Sequence, residues 1–428
     1  MRITRRNFIG QTSALLTASA FAAPAILRAQ DVNSKLNVAS IGVGGMGNFS
    51  VQGVKGENYL AMCDVDGARA KGNFEAFPNA KKFTDFRKLL DEFGSKLDAV
   101  TISTPDHIHA AAAVAAMNRG INVYCEKPLG HDVGEVRKMI EIANAKKLKT
   151  QMGTQIHAND NYRRVVELVQ AGAVGKITDV HVWCGAAQGG RPIPPGDFPI
   201  PETLDWDLWQ GPTKVRPYNP CYLPGSWRAY WAFGTATLGD FGCHYMDLPF
   251  WALGLRHPKT IEADGPPVDP ECCSNNLSVK YTYPKTDKHE ALTLTWYDGS
   301  RRPTLLKEHG MKEWGSGVIF VGSEGFLLAN YDAHHLYPEA KFADYKRPEK
   351  SIPSSPGHHA EWLNAIKNNG TTSCNFDYSG TLTEAVLLGV VSYRSGKKLN
   401  WDAVKFTTGV PEADAILHAE RRKGWELV

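Results

Sequence analysis

From Lys35 to about residue 155, short apolar runs alternate with longer segments whose apolar residues recur at helical spacing. "KLNVASIG" reads as a strand, "GGMGNFSVQGV" opens a helix and "YLAMCDVD" is a second strand. Helices follow over 68–77 and 86–94, a strand over 98–105, a helix over 109–120 and a strand over 122–128. This alternation predicts a parallel, doubly wound sheet, the Rossmann arrangement. Past residue 155 the rhythm changes. A helix is expected within 161–176, ended by Gly175, and then a strand from Ile177 that begins a mainly antiparallel sheet. The Pro-rich stretch 191–212 reads as a long ordered loop, and strands return over 276–284, 290–299 and 317–330. The fold class is therefore α/β at the N-terminus, joined to an α+β domain.

The segment before Lys35 follows neither rhythm. Arg5 and Arg6 stand side by side before Phe8 and Ile9, and an alanine-rich apolar run then ends near Arg28, Ala29 and Gln30. The run is too short and interrupted to span a bilayer, so no stable membrane span is expected. Twin arginines in this setting read as a Tat export signal over residues 1–29, with a periplasmic destination. That route carries folded proteins, so a cofactor can be loaded before export.

Composition bounds the rest. With 428 residues, 43% of them hydrophobic, the chain can bury a large core, and its length suggests two domains. The formal charge of +3 misleads, because residues 1–29 hold four arginines and no acid; without them it is −1. A near-neutral chain carries no nucleic-acid or membrane footprint. The eight cysteines lack the paired spacing of a zinc site or a small disulfide scaffold and read as buried thiols, although their even number in an exported chain allows a disulfide.

The chemistry sits in the turns. Gly42, Gly44 and Gly47 satisfy G-x-G-x-x-G between a strand and a helix, where a tight turn lets a pyrophosphate approach the main chain. Asp64 ends the next strand, placed to accept bonds from the adenosine ribose hydroxyls and to repel a 2′-phosphate. NAD is favoured, and nearby Arg69 keeps NADP as the alternative. "STPDHIH" sets Thr104, Pro105 and His109, and "CEKPLG" sets Glu126 and Lys127, at the carboxyl ends of later strands, where open α/β sheets bind ligands.

With its T-P-D-x-x-H and E-K-P segments behind a Rossmann fingerprint, and Asp240 and His244 of "LGDFGCHYMDL" matching a D-x-x-x-H pair, the chain resembles the glucose–fructose oxidoreductase, inositol dehydrogenase and MocA family from about residue 35 to 400. The resemblance implies three domains or segments: an NAD(P)-binding domain over 35–155, a substrate and oligomerisation domain with one open sheet over 156–345, and helices over 346–428 that return to the first domain. It implies a homo-oligomer, dimer or tetramer, and a catalytic group of Lys127, Asp240 and His244. Its cofactor residues would be Gly42, Gly44, Gly45, Met46, Gly47, Asp64, Arg69, Thr104, Pro105, His109, Glu126 and Lys127.

Physical chemistry assigns these groups roles. Removing hydride from a secondary alcohol requires taking the hydroxyl proton and stabilising the oxygen left behind. Lys127 can donate to that oxygen and His244 can act as base. Asp240, four residues earlier on a helical face, could orient the imidazole or contact substrate. The aromatics Trp206, Trp209, Trp227, Tyr230 and Trp231 suggest a carbohydrate pocket, because flat rings suit the C–H faces of sugars. Gln155 and Arg163 are further candidates for substrate contacts. His107, His109 and His157 find no third ligand at metal spacing and read as cofactor-pocket or structural residues, so no metal site is expected.

An exported dehydrogenase that released its reduced cofactor would stall, so the cofactor is expected to stay tightly bound. Three activities follow: an oxidoreductase acting on a sugar or glycoside hydroxyl, a glycosidase that uses transient oxidation and elimination, and a non-catalytic sugar-binding protein. The family's NAD-dependent glycosidases lack a plain E-K-P, so the retained Lys127 favours the first.

Overall fold

The computed structural model of the protein describes residues 35–427, and the structural statements below concern those residues. The export reading of residues 1–29 lies outside them.

Six parallel strands form the first sheet: β1 (Asn37–Ile41), β2 (Asn58–Cys63), β3 (Lys81–Phe83), β4 (Ala99–Ile102), β5 (Asn122–Cys125) and β6 (Thr150–Met152). Their order is β3-β2-β1-β4-β5-β6, so the chain reverses direction across the sheet between β1 and β4. The helices α1 (Gly47–Gly53), α2 (Gly67–Ala76), α3 (Phe86–Phe93), α4 (Asp106–Asn118) and α5 (Val133–Ala145) connect them. β4 is buried along its whole length, as expected of a central strand covered on both faces. The strands and helices anticipated up to residue 128 are all present. The alternating pattern passed over β3, α5 and β6. α5 carried a legible signal, since the Asp132 side chain caps its start at the Glu135 amide and Val136, Met139 and Ala143 bury one face.

After α6 (Asp160–Gln170) comes an eight-stranded sheet made of β7 (Ile177–Cys184), β8 (Thr260–Asp264), β9 (Ser278–Tyr283), β10 (Leu292–Asp298), β11 (Ser316–Gly322), β12 (Gly325–Ala329), β13 (His334–Tyr337) and β14 (Leu399–Asn400). Its order is β13-β12-β11-β7-β10-β9-β8-β14. β7 and β10 run parallel and the other neighbours antiparallel, which agrees with a mainly antiparallel sheet.

Between β7 and β8 lie the long loop around residues 185–235 and three helices, α7 (Trp206–Gln210), α8 (Ala236–Tyr245) and α9 (Asp247–Leu253). The short helix α10 (Leu305–Glu308), then α11 (His358–Lys367), α12 (Phe376–Ser395) and α13 (Pro411–Asp414) complete the chain. α12 is buried on nearly every side: Leu382, Val386 and Leu388 are wholly shielded, and fully burying an aliphatic side chain of this kind contributes about 1.5–3 kcal/mol. Its Asn375 cap bonds the Tyr378 amide at 3.1 Å, and Gly396 ends it at φ +63. α11 is anchored at the edge of the first sheet. His358 Nε2 lies 2.6 Å from the Met152 carbonyl at the end of β6, and the Trp362 indole donates to Lys149 O at 2.9 Å.

All eight cysteines are free thiols. Among the described residues no helix is long and apolar enough to cross a membrane.

Candidate active site

A cleft of about 430 Å³ opens at the carboxyl ends of β1, β2, β4 and β5. One wall is the glycine turn. Gly42 adopts φ +77, and a Cβ there would stand 2.7 Å from Ser103 O; a Cβ on Gly47 would stand 2.1 Å from Gly42 O. No other residue fits this turn, which leaves main chain facing the cleft as close approach of a pyrophosphate requires. Gly42, Gly44, Gly45, Met46, Asp64, Arg69, Thr104, Pro105, Glu126 and Lys127 all line the cleft, as anticipated.

Asp64 has a task the sequence did not suggest. Its Oδ2 accepts the Val43 and Gly44 amides, both at 2.9 Å, and its Oδ1 accepts the Asp66 amide at 3.0 Å. The carboxylate thus staples the glycine turn to the end of β2. One lone pair on Oδ1 remains for a ribose hydroxyl. Burial raises its pKa against the pull of those three amides. The residues fit a dinucleotide: a turn without side chains, a carboxylate at its shoulder, and Arg69 along the same wall.

Two cofactor assignments need correction. Gly47 is absent from the lining because it sits beneath the turn, against Gly42. His109 is buried, with its ring nitrogens 2.7 Å from Pro128 O and 2.8 Å from Thr104 O. It spaces the two strand-end segments that bear Thr104 and Lys127 and does not reach the cleft. Burial holds its pKa down to about 4.

The catalytic candidates meet where α8 faces the end of β5. α8 is helical over both Asp240 and His244, as their spacing anticipated, but Asp240 does not bond the imidazole. Its Oδ1 pairs with Lys127 Nζ, which also donates to the Asp240 carbonyl at 2.9 Å. Its Oδ2 meets Arg228 Nε at 3.1 Å and Gln188 Nε2 at 3.3 Å. Burial alone would raise the Asp240 pKa, yet Lys127 and then Arg228 hold it well below the usual carboxylate range. His244 is half-buried on the next turn of α8 and is not part of the cleft lining; its Nδ1 is buried with no hydrogen-bond partner. Burial, followed by the charge of Lys127, lowers its pKa to about 3, so the ring is neutral at pH 7.

Two acids in the cleft complete the electrostatics. Burial pushes Asp106 up to about 7 against the charge of Arg228, and its Oδ2 accepts the Thr235 hydroxyl at 2.8 Å. Burial likewise pushes Glu126 up to about 7 against the charge of Lys127. The sequence reading missed Asp106, although it stands inside the quoted T-P-D-x-x-H. It also missed Arg228 and Gln188, which reach Asp240 from the long loop and carry no motif.

The substrate assignments fare worse. Gln155 Nε2 bonds Glu126 at 2.9 Å and Tyr124 at 3.2 Å, supporting the acid and lying outside the lining. Arg163 pairs with Glu361 at 2.7 Å and bonds Pro353 O, tying α6 to α11 away from the cleft. Trp206 and Tyr230 are buried in an aromatic core with Tyr222, Trp227 and Phe233, where the Trp206 and Trp209 rings stack 4.9 Å apart. Trp231 is buried and its indole donates to Asp269 O at 3.0 Å. Of the aromatic group, Trp209 and Trp227 reach the cleft. The reason is physical: a loop of some fifty residues with little regular structure must supply its own apolar core, and these rings are the largest groups it has.

His157 takes a structural place. The fold brings it within 4.8 Å of Asp247 and Cys374, from segments far apart in sequence. Asp247 is already engaged by His157 Nδ1 at 2.9 Å and by the Tyr378 hydroxyl at 2.7 Å, so the group stands as a buried hydrogen-bonded knot.

Comparisons with known proteins agree with this geometry. The profile of the Gfo/Idh/MocA oxidoreductase family's NAD-binding Rossmann fold matches residues 36–154, and that of its C-terminal alpha/beta domain matches residues 173–427. The inositol 2-dehydrogenase of Leifsonia xyli is 31% identical over 145 residues, which is 32% of this chain and 42% of that enzyme. Inositol 2-dehydrogenase 4 of Saccharopolyspora erythraea is 29% identical over 170 residues, 38% of this chain and 48% of that protein. The matched stretch therefore spans under half of either relative. Among solved structures, the WlbA dehydrogenase of Bordetella pertussis, in complex with NADH and UDP-GlcNAcA, superposes with a TM-score of 0.61 at 13% identity, covering 86% of this chain and 99% of that one. The myo-inositol 2-dehydrogenase of Lactobacillus plantarum gives a TM-score of 0.55 at 18% identity, covering 86% and 100%. These two likenesses establish the fold.

Proposed function

This chain belongs to the Gfo/Idh/MocA oxidoreductase family, and from that premise we propose that it oxidises or reduces a secondary hydroxyl or ketone of a sugar or glycoside, using NAD. The observation that carries the reading is Lys127: an ammonium in the wall of the dinucleotide cleft, held by Asp240. A bound nicotinamide supplies the hydride acceptor or donor. Lys127 donates to the carbinol oxygen, and Asp240, itself braced by Arg228 and Gln188, fixes where that donor points. The hydroxyl proton we assign to His244, a neutral and half-buried imidazole one turn of α8 beyond Asp240, through its ring edge opposite the buried Nδ1. Asp106, Glu126 and Arg228 offer the donors and acceptors that a polyol needs, with Trp209 and Trp227 as apolar faces. The inositol dehydrogenase relatives support a cyclic polyol or sugar as substrate class.

We further propose that the protein is exported by the Tat route and keeps its cofactor. Two contacts favour retention. Residues 203–205 of the long loop pair with 65–67 beyond Asp64, through Gly67 N to Thr203 O and Asp205 N to Val65 O, both at 2.9 Å. Trp425, near the C-terminus, closes the same cleft beside Phe86. The test uses protein recovered from the exported fraction: released dinucleotide is identified after denaturation, and the native protein is incubated with sugars and aryl glycosides without added cofactor. Bound NAD(H) is expected, with up to one ketosugar formed per bound NAD+ and more only where a second carbonyl substrate takes the hydride from the retained NADH. Free aglycone would move the reading to oxidation with elimination, NADP(H) would overturn the preference for NAD, and an empty protein that needs added NAD would overturn retention.

A further inference from the structure

A second cavity, of about 460 Å³, lies apart from the cofactor cleft, between α5, α12, the segment 212–216 and residues 415–421. Its walls mix apolar side chains, among them Leu387, Val390 and Ile416, with several cations. All the cations but one have an acid. Arg216 pairs with Glu271 at 2.8 Å, Lys214 with Glu420 at 3.2 Å, and Arg421 with Glu135 and Asp132. The exception is Arg394, in the last turn of α12. Its guanidinium lies over the Trp231 ring at 5.3 Å and makes no ion pair or side-chain hydrogen bond among the described residues.

A half-buried guanidinium with five donors and no acceptor is an unusual thing to keep, since taking its charge out of water is costly unless an anion or hydrogen-bond acceptor compensates. The nearby His131 does not supply a competing charge, because burial lowers its pKa to about 4. Asp132, Glu135, Glu271 and Glu420 in the same walls are taken up by the other three cations, so the cavity offers one guanidinium with no acid of its own, at the C-terminal end of α12, a forked donor suited to carboxylate or phosphate, an indole face and an aliphatic floor. We propose that this cavity is a second ligand site, which takes a small organic anion by its carboxylate or phosphomonoester group at Arg394 and buries the organic body against Trp231 and the α12 aliphatic residues. Trp231 and Ala232 in its wall run directly into Thr235, which bonds Asp106, and then into α8 with Asp240 and His244.

The test is calorimetric titration of the NAD-saturated protein, so that the glycine turn is already filled, with inorganic phosphate, glucose 6-phosphate, acetate and benzoate. Saturable binding of benzoate or glucose 6-phosphate is expected, tighter than that of acetate or phosphate respectively. Arg394→Gln should weaken it at least tenfold without changing NAD affinity, and Arg394→Lys should weaken it less. Ala415→Trp, at an exposed position on the rim, should abolish it while leaving Arg394 untouched, and so keeps the test decisive if Arg394→Gln fails to fold. Absence of saturable binding by every probe, or equal binding by the wild type and Ala415→Trp, would overturn the proposal. Phosphate binding as tightly as glucose 6-phosphate would overturn the claim that an organic body is recognised.

Discussion

Two walls face each other across the cofactor cleft, and they are made in different ways. On the Rossmann wall each functional group stands just past a strand: the glycine turn after β1, Asp64 after β2, Thr104 after β4, Glu126 and Lys127 after β5. The strands satisfy their own main-chain bonds and bury their own side chains, so the residues at their ends are free for ligands. The opposite wall, around residues 185–235, has almost no regular structure, and most of its rings turn inward as its core. It shows the cleft only Leu208, Trp209, the turn at Leu223–Gly225, Trp227 and Arg228. Where a sheet holds the chain, a residue's place along the strand decides its role; where side chains must hold it, burial claims the largest groups first.

Substitutions on each wall can break or sharpen this contrast. The largest effect is expected for Lys127→Ala, which removes the donor and leaves Asp240 to Arg228 and Gln188: turnover of the sugar substrate should fall about 10³-fold, roughly 4 kcal/mol of transition-state stabilisation, while NAD still binds. Turnover within tenfold of wild type would remove Lys127 from the chemistry.

On the other wall, Trp206→Ala should act through stability. Loss of a buried indole stacked on Trp209 should cost about 3–5 kcal/mol, read as a lower Tm and urea midpoint. A stable protein with a raised KM would instead restore Trp206 as a sugar platform. Gly47→Ala drives a Cβ to 2.1 Å from Gly42 O and should weaken NAD binding by roughly tenfold through a displaced turn, overpacking of this kind costing about 1–3 kcal/mol.

The smallest effects concern protons. Asp106 and Glu126 are raised to about 7, above their unfolded values, so the folded state holds extra protons at mildly acid pH. Their contribution to stability is complete below about pH 4 and is lost as pH rises through about 7. Chemical denaturation between pH 5 and 8 should show Asp106→Asn losing less stability than wild type over that range. His244, lowered to about 3, should leave no inflection at the ordinary imidazole pKa of about 6.5 in the kcat/KM profile; an inflection there that disappears in His244→Asn would show that it titrates as an exposed histidine does.

Particular residues show how far the chain could be read before it was folded. The glycine turn, Asp64 and the segments at Thr104 and Lys127 were legible because each is a local event, a strand ending in a turn. Asp240 and His244 were legible as one helical face. The bond that matters most to Asp240, with Lys127, joins residues 113 apart, and Arg228 and Gln188 arrive from a loop with no periodicity. Arg163 looked like a substrate contact and is a strut, because its partner Glu361 comes from a helix 198 residues away.

By itself the sequence determined most of the alternation of strands and helices up to residue 128, the place of the dinucleotide turn and the presence of one ammonium and one acid–imidazole pair, since these follow from hydrogen-bonding geometry within a few residues. The tertiary structure decided which charges neutralise which, which aromatic rings become core, and that Arg394 is left without an acid beside a cavity. Such outcomes depend on burial and on pairings between distant segments, and a side chain's energy there is set by neighbours that its own stretch of chain does not specify.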